Sequence, residues 1–176
     1  PHGKMANSPG HPAWDTTDGK FGPFKGQMFI GDQTLSTLLR VVTEQVDGQD
    51  QGSVVPFGRG LASGVMRPCF LPVGSLLVGQ TGRGWRSRGG ASASLQRVIY
   101  DGNTVAADIV RVVAAEKGLV VQFTQPIADG VKEEALLAGM TVHSWFYTNN
   151  NRYGSPEHDR REVKVAGVTL SADRQA

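Results

Sequence analysis

The sequence predicts an all-β chain, on the evidence of composition and of patterning. The 176 residues include 23 Gly and 9 Pro, while good helix formers are sparse, a composition typical of many short strands joined by tight turns. Short apolar runs separated by Gly, Pro, Asn and Asp recur along the chain. Only residues 132–139 have a helical pattern, about two turns long.

One pattern occurs twice in the first part of the chain. The run MFI, the turn GDQT and the run LLRVV recur as LLVG, a loop of Gly and Arg, and LQRVI. Gly31 and Gly79 are 48 residues apart, whereas Arg40 and Arg97 are 57 apart. The second copy therefore has nine extra residues, all in its loop of Gly and Arg. A strand–turn–strand unit that recurs about every 40 to 50 residues is typical of propeller blades.

The other elements of the first 103 residues fit one and a half four-stranded blades. Residues 1–26 are rich in turn formers and are predicted to be an ordered loop pinned by Trp14, Phe21 and Phe24. Two tight turns are predicted, at Asp47-Gly48 and at residues 72–74. Strands are predicted at residues 27–31, 35–46, 53–57, 65–71, 75–80 and 95–100.

The composition changes at residue 104, where a second unit is predicted to begin. A β-hairpin is expected around Glu116-Lys117-Gly118, and a long polar loop at residues 149–156. Strands are predicted at residues 107–113, 118–123, 141–147, 163–165 and 168–170. Residues 104–176 thus look like the start of a smaller β-sandwich with too few strands to close two sheets.

The distribution of charged residues along the sequence is more informative than the net charge. A net charge of +2 is too small to imply nucleic-acid binding or membrane binding by bulk electrostatics. Residues 51–100 contain no Asp or Glu, yet they contain six arginines. These are Arg59, Arg67, Arg83, Arg86, Arg88 and Arg97.

The cellular compartment of the protein is only weakly constrained by its cysteine content and by its chain ends. The single cysteine, Cys69, excludes an internal disulfide, and its apolar surroundings predict an ordinary buried thiol. The sequence has no signal peptide, transmembrane run or lipidation motif, and it begins Pro-His-Gly without an initiator Met. We therefore expect a fragment or a processed product.

Three stretches resemble a known family: SPGHPAWDTTDGKFGPFKGQMFIGDQT, ASGVMRPCFLPVGSLLVGQTGRGWRSRGG and LQRVIYDG. They are similar to the late blades of glucose/sorbosone dehydrogenase-like β-propellers in large secreted bacterial proteins. In those proteins an immunoglobulin-like domain follows, which SWFYTNNNRYGSPEHD resembles. The resemblance implies terminal propeller blades in residues 1–103 and a partial immunoglobulin-like sandwich in residues 104–176. It also implies a secreted or periplasmic parent chain with haem or cupredoxin-like domains elsewhere, and a redox partner.

The resemblance supports the fold of the family more strongly than it supports the cofactor of the family. Catalytic members of the wider class use pyrroloquinoline quinone with Ca²⁺, held by a lysine and arginines in late blades. Here the lysine position falls near Thr34 and Leu35, and the arginine positions fall near Gly64 and Met66. None of these can supply the charge that a tricarboxylated quinone demands, and the blade that bears the histidine base is not present.

Two function hypotheses remain open at this stage. The first is an oxidoreductase propeller for sugar-like substrates, whose electrons leave through haem or copper domains elsewhere in the parent chain. The second is a non-catalytic propeller that positions those domains or binds a protein or polysaccharide partner. The missing cations favour the second for this segment.

The candidate contact surface in both hypotheses is the loop at residues 81–90. Its residues Arg83, Arg86 and Arg88 around Trp85 are candidates to clamp a carboxylate, a phosphate or a haem propionate, and its glycines permit close backbone approach. The alternative is that Trp85 fills the space between blades while the arginines are solvated.

No catalytic or metal-binding residue is predicted. Asp32 is either a cation ligand with Asp15 and Asp18 or, as we favour, an acceptor that fixes a turn. The four histidines lack metal-site spacing, and the sequence contains no Cys-x-x-Cys-His for covalent haem. The histidines are His2, His11, His143 and His158.

Overall fold

A computed structural model describes residues 4–84, 86–151 and 154–176 of the chain. Those residues form antiparallel sheets and one short helix, which confirms the all-β prediction. No described helix has the length and apolarity needed to span a membrane. The elements are β1 (Pro9–Trp14), β2 (Met28–Asp32), β3 (Thr37–Val46), β4 (Gln49–Gly58), β5 (Val65–Leu71), β6 (Ser75–Thr81), β7 (Ala93–Ile99), β8 (Ile109–Ala115), β9 (Gly118–Phe123), α1 (Glu133–Gly139), β10 (Val142–Phe146) and β11 (His158–Val163).

The first sheet is a meander in the order β1-β2-β3-β4, and each strand is antiparallel to the next. The β3–β4 hairpin turns at Asp47 and Gly48, whose φ angles are 50° and 75°. Asp and Gly tolerate positive φ better than most residues, so this predicted turn is confirmed. Strand β4 begins earlier than predicted because the hairpin remains paired as far as Val46 and Gln49.

The second sheet, β5-β6-β7, repeats the first three strands of the first sheet. Gly31 pairs with Leu38 in the first sheet, and Gly79 pairs with Leu95 in the second. Strands β6 and β7 therefore correspond to β2 and β3. The nine extra residues lie between β6 and β7, as the sequence comparison predicted.

A phenylalanine-rich core lies between the two sheets. Phe29 is fully buried, and its ring meets the edges or faces of Phe21, Phe57 and Phe70 at centroid distances of 5.0–5.5 Å. Strands β1 and β2 both contact β5. Gly31 permits this approach because a Cβ there would overlap the side chain of Val65. The buried core residues are Phe21, Phe24, Phe29, Leu38, Val65, Leu76 and Val78.

The described residues after β7 form two separate two-stranded sheets, β8–β9 and β10–β11, together with α1. No described residue after Gln80 is fully buried. Strand β8 packs on β3 and β4 of the first sheet, and it belongs to a different sheet from β7. The domain division between residues 103 and 104 stays a prediction.

The N-terminal loop prediction is right for two of its three aromatic anchors, and it misses a strand. Phe21 and Phe24 are buried as predicted, whereas Trp14 is 49% exposed. Strand β1 was not predicted because its sequence, PGHPAW, contains two prolines. Proline is tolerated here because β1 pairs only with β2 among the described strands, and an edge strand can spare a backbone donor.

The buried-thiol prediction for Cys69 is wrong, since the thiol is exposed. In β5 the neighbouring Pro68 faces inward while Cys69 faces out, and Met66 is 39% exposed. Adjacent residues of a strand point to opposite faces, so a continuous apolar run does not guarantee burial on both sides.

The strand predictions near the C-terminus also need correction. The structure has no strand at residues 168–170, and β11 runs from His158 to Val163. Most of β11 is polar and exposed. Its strand conformation comes from pairing with β10 and not from an apolar pattern.

Candidate functional site

The β6–β7 connection, residues 82–92, is called the arginine loop below. The corresponding β2–β3 connection, residues 33–36, is much shorter. The arginine loop contains Arg83, Arg86 and Arg88. Its tryptophan, Trp85, lies outside the described residues, so the hypothesis that it fills the space between blades stays a prediction.

Backbone hydrogen bonds hold the second half of the arginine loop against its neighbours. The Arg88 amide donates to the Thr34 carbonyl and the Ala91 amide to the Ala62 carbonyl, each at 3.0 Å. A Cβ at Gly89 would overlap the backbone of Leu61 and Ala62. The loop is therefore seated on the β2–β3 connection and on the β4–β5 connection, residues 59–64.

Ser36 links these three segments, and its own backbone is strained. It is 1% exposed, and its φ of 53° is unusual for a residue other than Gly, Asn or Asp. Its hydroxyl accepts the Gly89 amide at 3.0 Å, and its carbonyl accepts the Leu61 amide at 3.3 Å. Strained residues of this kind persist only where surrounding contacts enforce them, and they concentrate at functional sites.

A second set of polar contacts under the arginine loop was missed by sequence reasoning. Ser63 is fully buried, and its hydroxyl donates to the Ala91 carbonyl at 2.6 Å. Its amide donates to Gln80 Oε1 at 2.7 Å, and Gln80 Nε2 donates to Gln96 Oε1 at 2.8 Å. Gln80 is opposite Ser94 and Gln96 is opposite Val78, so the two glutamines meet diagonally across β6 and β7. The signal that could have found this network is the presence of polar residues at inward positions of otherwise apolar strands.

The three arginine side chains of the loop are exposed. Within the described part of the chain, none of their guanidinium groups is ion-paired with a carboxylate. Arg88 lines a small pocket with Lys4 and Arg59, whereas Arg83 and Arg86 do not line it. The structure thus separates the three predicted contact residues into one at a pocket and two on the open surface.

Asp32 fixes a turn, as the favoured interpretation predicted. Its carboxylate accepts the backbone amides of Asn7, Ser8 and Leu35 at 2.6–2.8 Å. Asp15 likewise accepts the amide of Thr17 at 2.9 Å. Among the described residues, no group of three or more His, Cys, Asp or Glu side chains is arranged to hold a metal ion.

The positions matched to the quinone-binding cations do not fit that cofactor. Thr34 is engaged with its neighbours, because its hydroxyl accepts from Asn7 Nδ2 at 3.0 Å. No side chain fits at Gly64, where a Cβ would overlap the carbonyl oxygen of Gln33. Met66 is partly exposed and uncharged. These residues offer no cation for a quinone carboxylate.

Arg40 is a buried cation that sequence reasoning used only as a marker of the repeat. It is 0% exposed, and its guanidinium donates to Asp108 Oδ2 at 2.9 Å and to the Ile109 carbonyl at 2.6 Å. It also lies 3.9 Å above the centroid of the Phe24 ring. Burial lowers the pKa of Arg40 from its ordinary value, and Asp108 partly opposes that shift. Because Arg40 is enclosed, its role is to join the first sheet to β8.

No protein-family model, curated protein or solved structure matches this chain.

Proposed function

We propose that the chain belongs to a β-propeller protein of the glucose/sorbosone dehydrogenase-like class. Residues 1–103 are its C-terminal blades, and residues 104–176 begin an immunoglobulin-like sandwich. Two consecutive sheets with matching strand order and register support the propeller assignment. The contact of β1 with β5 supports it as well, because the first strands of neighbouring blades lie side by side around a propeller axis.

Within that protein, this segment acts as a non-catalytic binding module. It presents the arginine loop to an acidic partner surface and thereby positions a redox partner in the periplasm or outside the cell. The observation behind this function is a loop whose backbone is fixed at Arg88, Gly89 and Ala91, and whose exposed guanidinium groups meet no carboxylate among the described residues. A rigid scaffold that displays a loop of unpaired charges favours binding over fold stability as the role of that loop.

The oxidoreductase hypothesis has less support. Its cofactor requires cations at positions that here hold Thr34, Gly64 and Met66. Reconstitution with pyrroloquinoline quinone and Ca²⁺ provides the discriminating measurement. We expect no quinone absorbance on the protein after gel filtration, and stoichiometric uptake would reverse the order of the two hypotheses.

Replacement of the loop arginines tests the binding function. We expect the triple variant Arg83→Ala, Arg86→Ala, Arg88→Ala to lose about tenfold or more in affinity for an immobilised acidic haem protein. The matched control is Arg111→Ala, Arg160→Ala, Arg161→Ala, which removes the same charge from β8 and β11. It should change the affinity by about threefold or less.

The same binding measurement identifies the kind of partner and the contribution of charge. An acidic polysaccharide serves as a second immobilised ligand, and tighter binding to it would assign a glycan partner. Affinity should fall between 50 mM and 300 mM salt because exposed charges are screened beyond about 10 Å at 0.1 M. Equal affinity of wild type and the loop variant for both ligands would refute the binding function.

A further inference from the structure

A small pocket opens beside the arginine loop at the start of β3. Its volume is about 70 Å³, and its lining includes three cations, Lys4, Arg59 and Arg88, with no acidic residue. A cavity needs about 10–15 Å³ by this measure to hold one water, so the pocket has room for a small head group. Its charge selects an anion.

Two of the three cations lack a counter-charge among the residues that the structure describes. Lys4 Nζ lies 3.3 Å from Glu157 Oε1, which neutralises it. Arg59 and Arg88 form no ion pair with any described carboxylate. Arg59 and Arg88 line the same small pocket, so their like charges repel each other, and a bound anion would offset that repulsion.

Thr37 gives a second and independent indication of a ligand. It lines the pocket and is only 8% exposed. Its Oγ1 is buried and makes no hydrogen bond to any residue that the structure describes. A buried hydroxyl without a partner is unfavourable, so the free protein bears a cost that a ligand oxygen would relieve once the Thr37 side chain turned its hydroxyl toward the pocket.

The two unpaired arginines are held on neighbouring backbone anchors. The Arg88 amide donates to the Thr34 carbonyl, and the next amide, that of Gly89, donates to the Ser36 hydroxyl. Arg59 lies two residues before Leu61, whose amide donates to the Ser36 carbonyl. Both arginines therefore approach the pocket from a backbone fixed on the β2–β3 connection, which reduces the entropy lost on binding.

We propose that this pocket binds a small oxyanion head group, either a phosphate or a carboxylate, between Arg59 and Arg88. Thr37 is the neutral polar residue of its lining, and Leu35 and Pro56 give it an apolar side that suits a short aliphatic stem. The proposal rests on the proposed function because Arg88 belongs to the arginine loop. Arg59 belongs only to the pocket, so the two can fail separately.

Glu157 competes with the ligand for Lys4. Partial shielding from solvent raises the pKa of Glu157, but hydrogen bonding and attraction from Lys4 and then Arg160 outweigh it, so the net pKa is lowered. Glu157 is therefore ionised at neutral pH and occupies Lys4 in the free protein. Release of Lys4 adds a third cation to the site.

The experiment measures phosphate and butyrate binding to the full chain by isothermal titration calorimetry at low salt. We expect Arg59→Ala to weaken binding of the preferred anion about tenfold, because a charge-assisted hydrogen bond is lost. Arg67→Ala, an exposed arginine on β5, removes the same charge elsewhere and should change the affinity by about twofold or less. Tighter binding of phosphate assigns a phosphoryl head group, and tighter binding of butyrate assigns a carboxylate.

Thr37→Val distinguishes a ligand-binding hydroxyl from a structural one. Since the valine is close in shape and has no polar atom to satisfy, we expect a higher unfolding midpoint of the free protein together with weaker anion binding.

Glu157→Gln should tighten binding by releasing Lys4. Failure of both anions to bind, or equal affinity of Arg59→Ala and wild type, would overturn the pocket. If the pocket fails these tests while the triple loop variant still loses binding to the acidic partner, the pocket is wrong and the proposed function is unaffected.

Discussion

Residues 4–100 and residues 101–176 differ in how their strands are held together. The first region has two sheets that share a core around Phe29 and a polar network beneath the arginine loop. The second has two-stranded sheets in which no described residue is fully buried. An isolated two-stranded hairpin is marginal in water. The β8–β9 hairpin is therefore expected to depend on its contact with β3 and β4, and on Arg40 in particular.

The largest expected effect tests the core of the first region. Phe29→Ala removes a fully buried ring from contact with several other rings, so the free energy of unfolding should fall by about 3–5 kcal/mol. Chemical denaturation followed by fluorescence measures it. Leu119→Ala in β9, where the side chain is 63% exposed, is the comparison and should cost about 0.5 kcal/mol or less. Similar losses for the two variants would contradict the contrast between the regions.

The next effect tests the connection between the regions. Asp108→Ala leaves the buried Arg40 without its carboxylate, and the expected cost is about 3 kcal/mol, with faster hydrogen exchange throughout β8. The cost is at the low end for such pairs because Arg40 keeps its bonds to Gln27 and to two carbonyls. Asp129→Ala, at a fully exposed carboxylate, should be close to neutral. A neutral Asp108→Ala would show that β8 docks without the ion pair.

A smaller effect tests how the arginine loop is seated. Ser36→Ala removes the acceptor of the Gly89 amide and keeps the strained φ, so we expect a loss of about 1 kcal/mol. Ser36→Gly removes the same hydroxyl but relieves the backbone, and it should cost less in stability. Thermal unfolding compares the two variants. If Gly were the more damaging substitution, the strain at this residue would not be a significant cost in the folded protein.

The smallest effect concerns Cys69. Cys69→Ser should change the free energy of unfolding by about 0.5 kcal/mol or less because the thiol is exposed. The native thiol should also react with a maleimide probe at the rate of a small-molecule thiol. Protection that disappears only in denaturant would restore the buried-thiol prediction.

Local patterns in the sequence were sufficient for the hairpins and not for the contacts between them. The β2–β3 and β6–β7 units follow from apolar runs around turn residues, and the Asp47-Gly48 turn follows from its tolerance of positive φ. The nine-residue difference located the arginine loop correctly. Strand β1 was missed because proline weakens the local strand signal, although edge position permits it.

The parts that could not be predicted depend on distant partners. Arg40 and Arg97 occupy equivalent positions in the two copies, opposite Phe29 and Leu77. Arg40 is buried and is ion-paired with Asp108, which lies 68 positions away in the sequence. Arg97 is exposed and donates a hydrogen bond to Ser75. Nothing in the local sequence distinguishes the two. The convergence of Lys4, Arg59 and Arg88 is likewise a product of tertiary structure.

Strand β7 has a consequence for handling the protein in solution. Among the described strands it hydrogen-bonds only to β6, and its outward face presents Leu95 at 70% and Ile99 at 63% exposure. An open strand edge beside exposed aliphatic groups is a template for pairing with another chain. Self-association should therefore grow with protein concentration, and Leu95→Lys should suppress it, since a lysine at such an edge opposes the approach of a second strand.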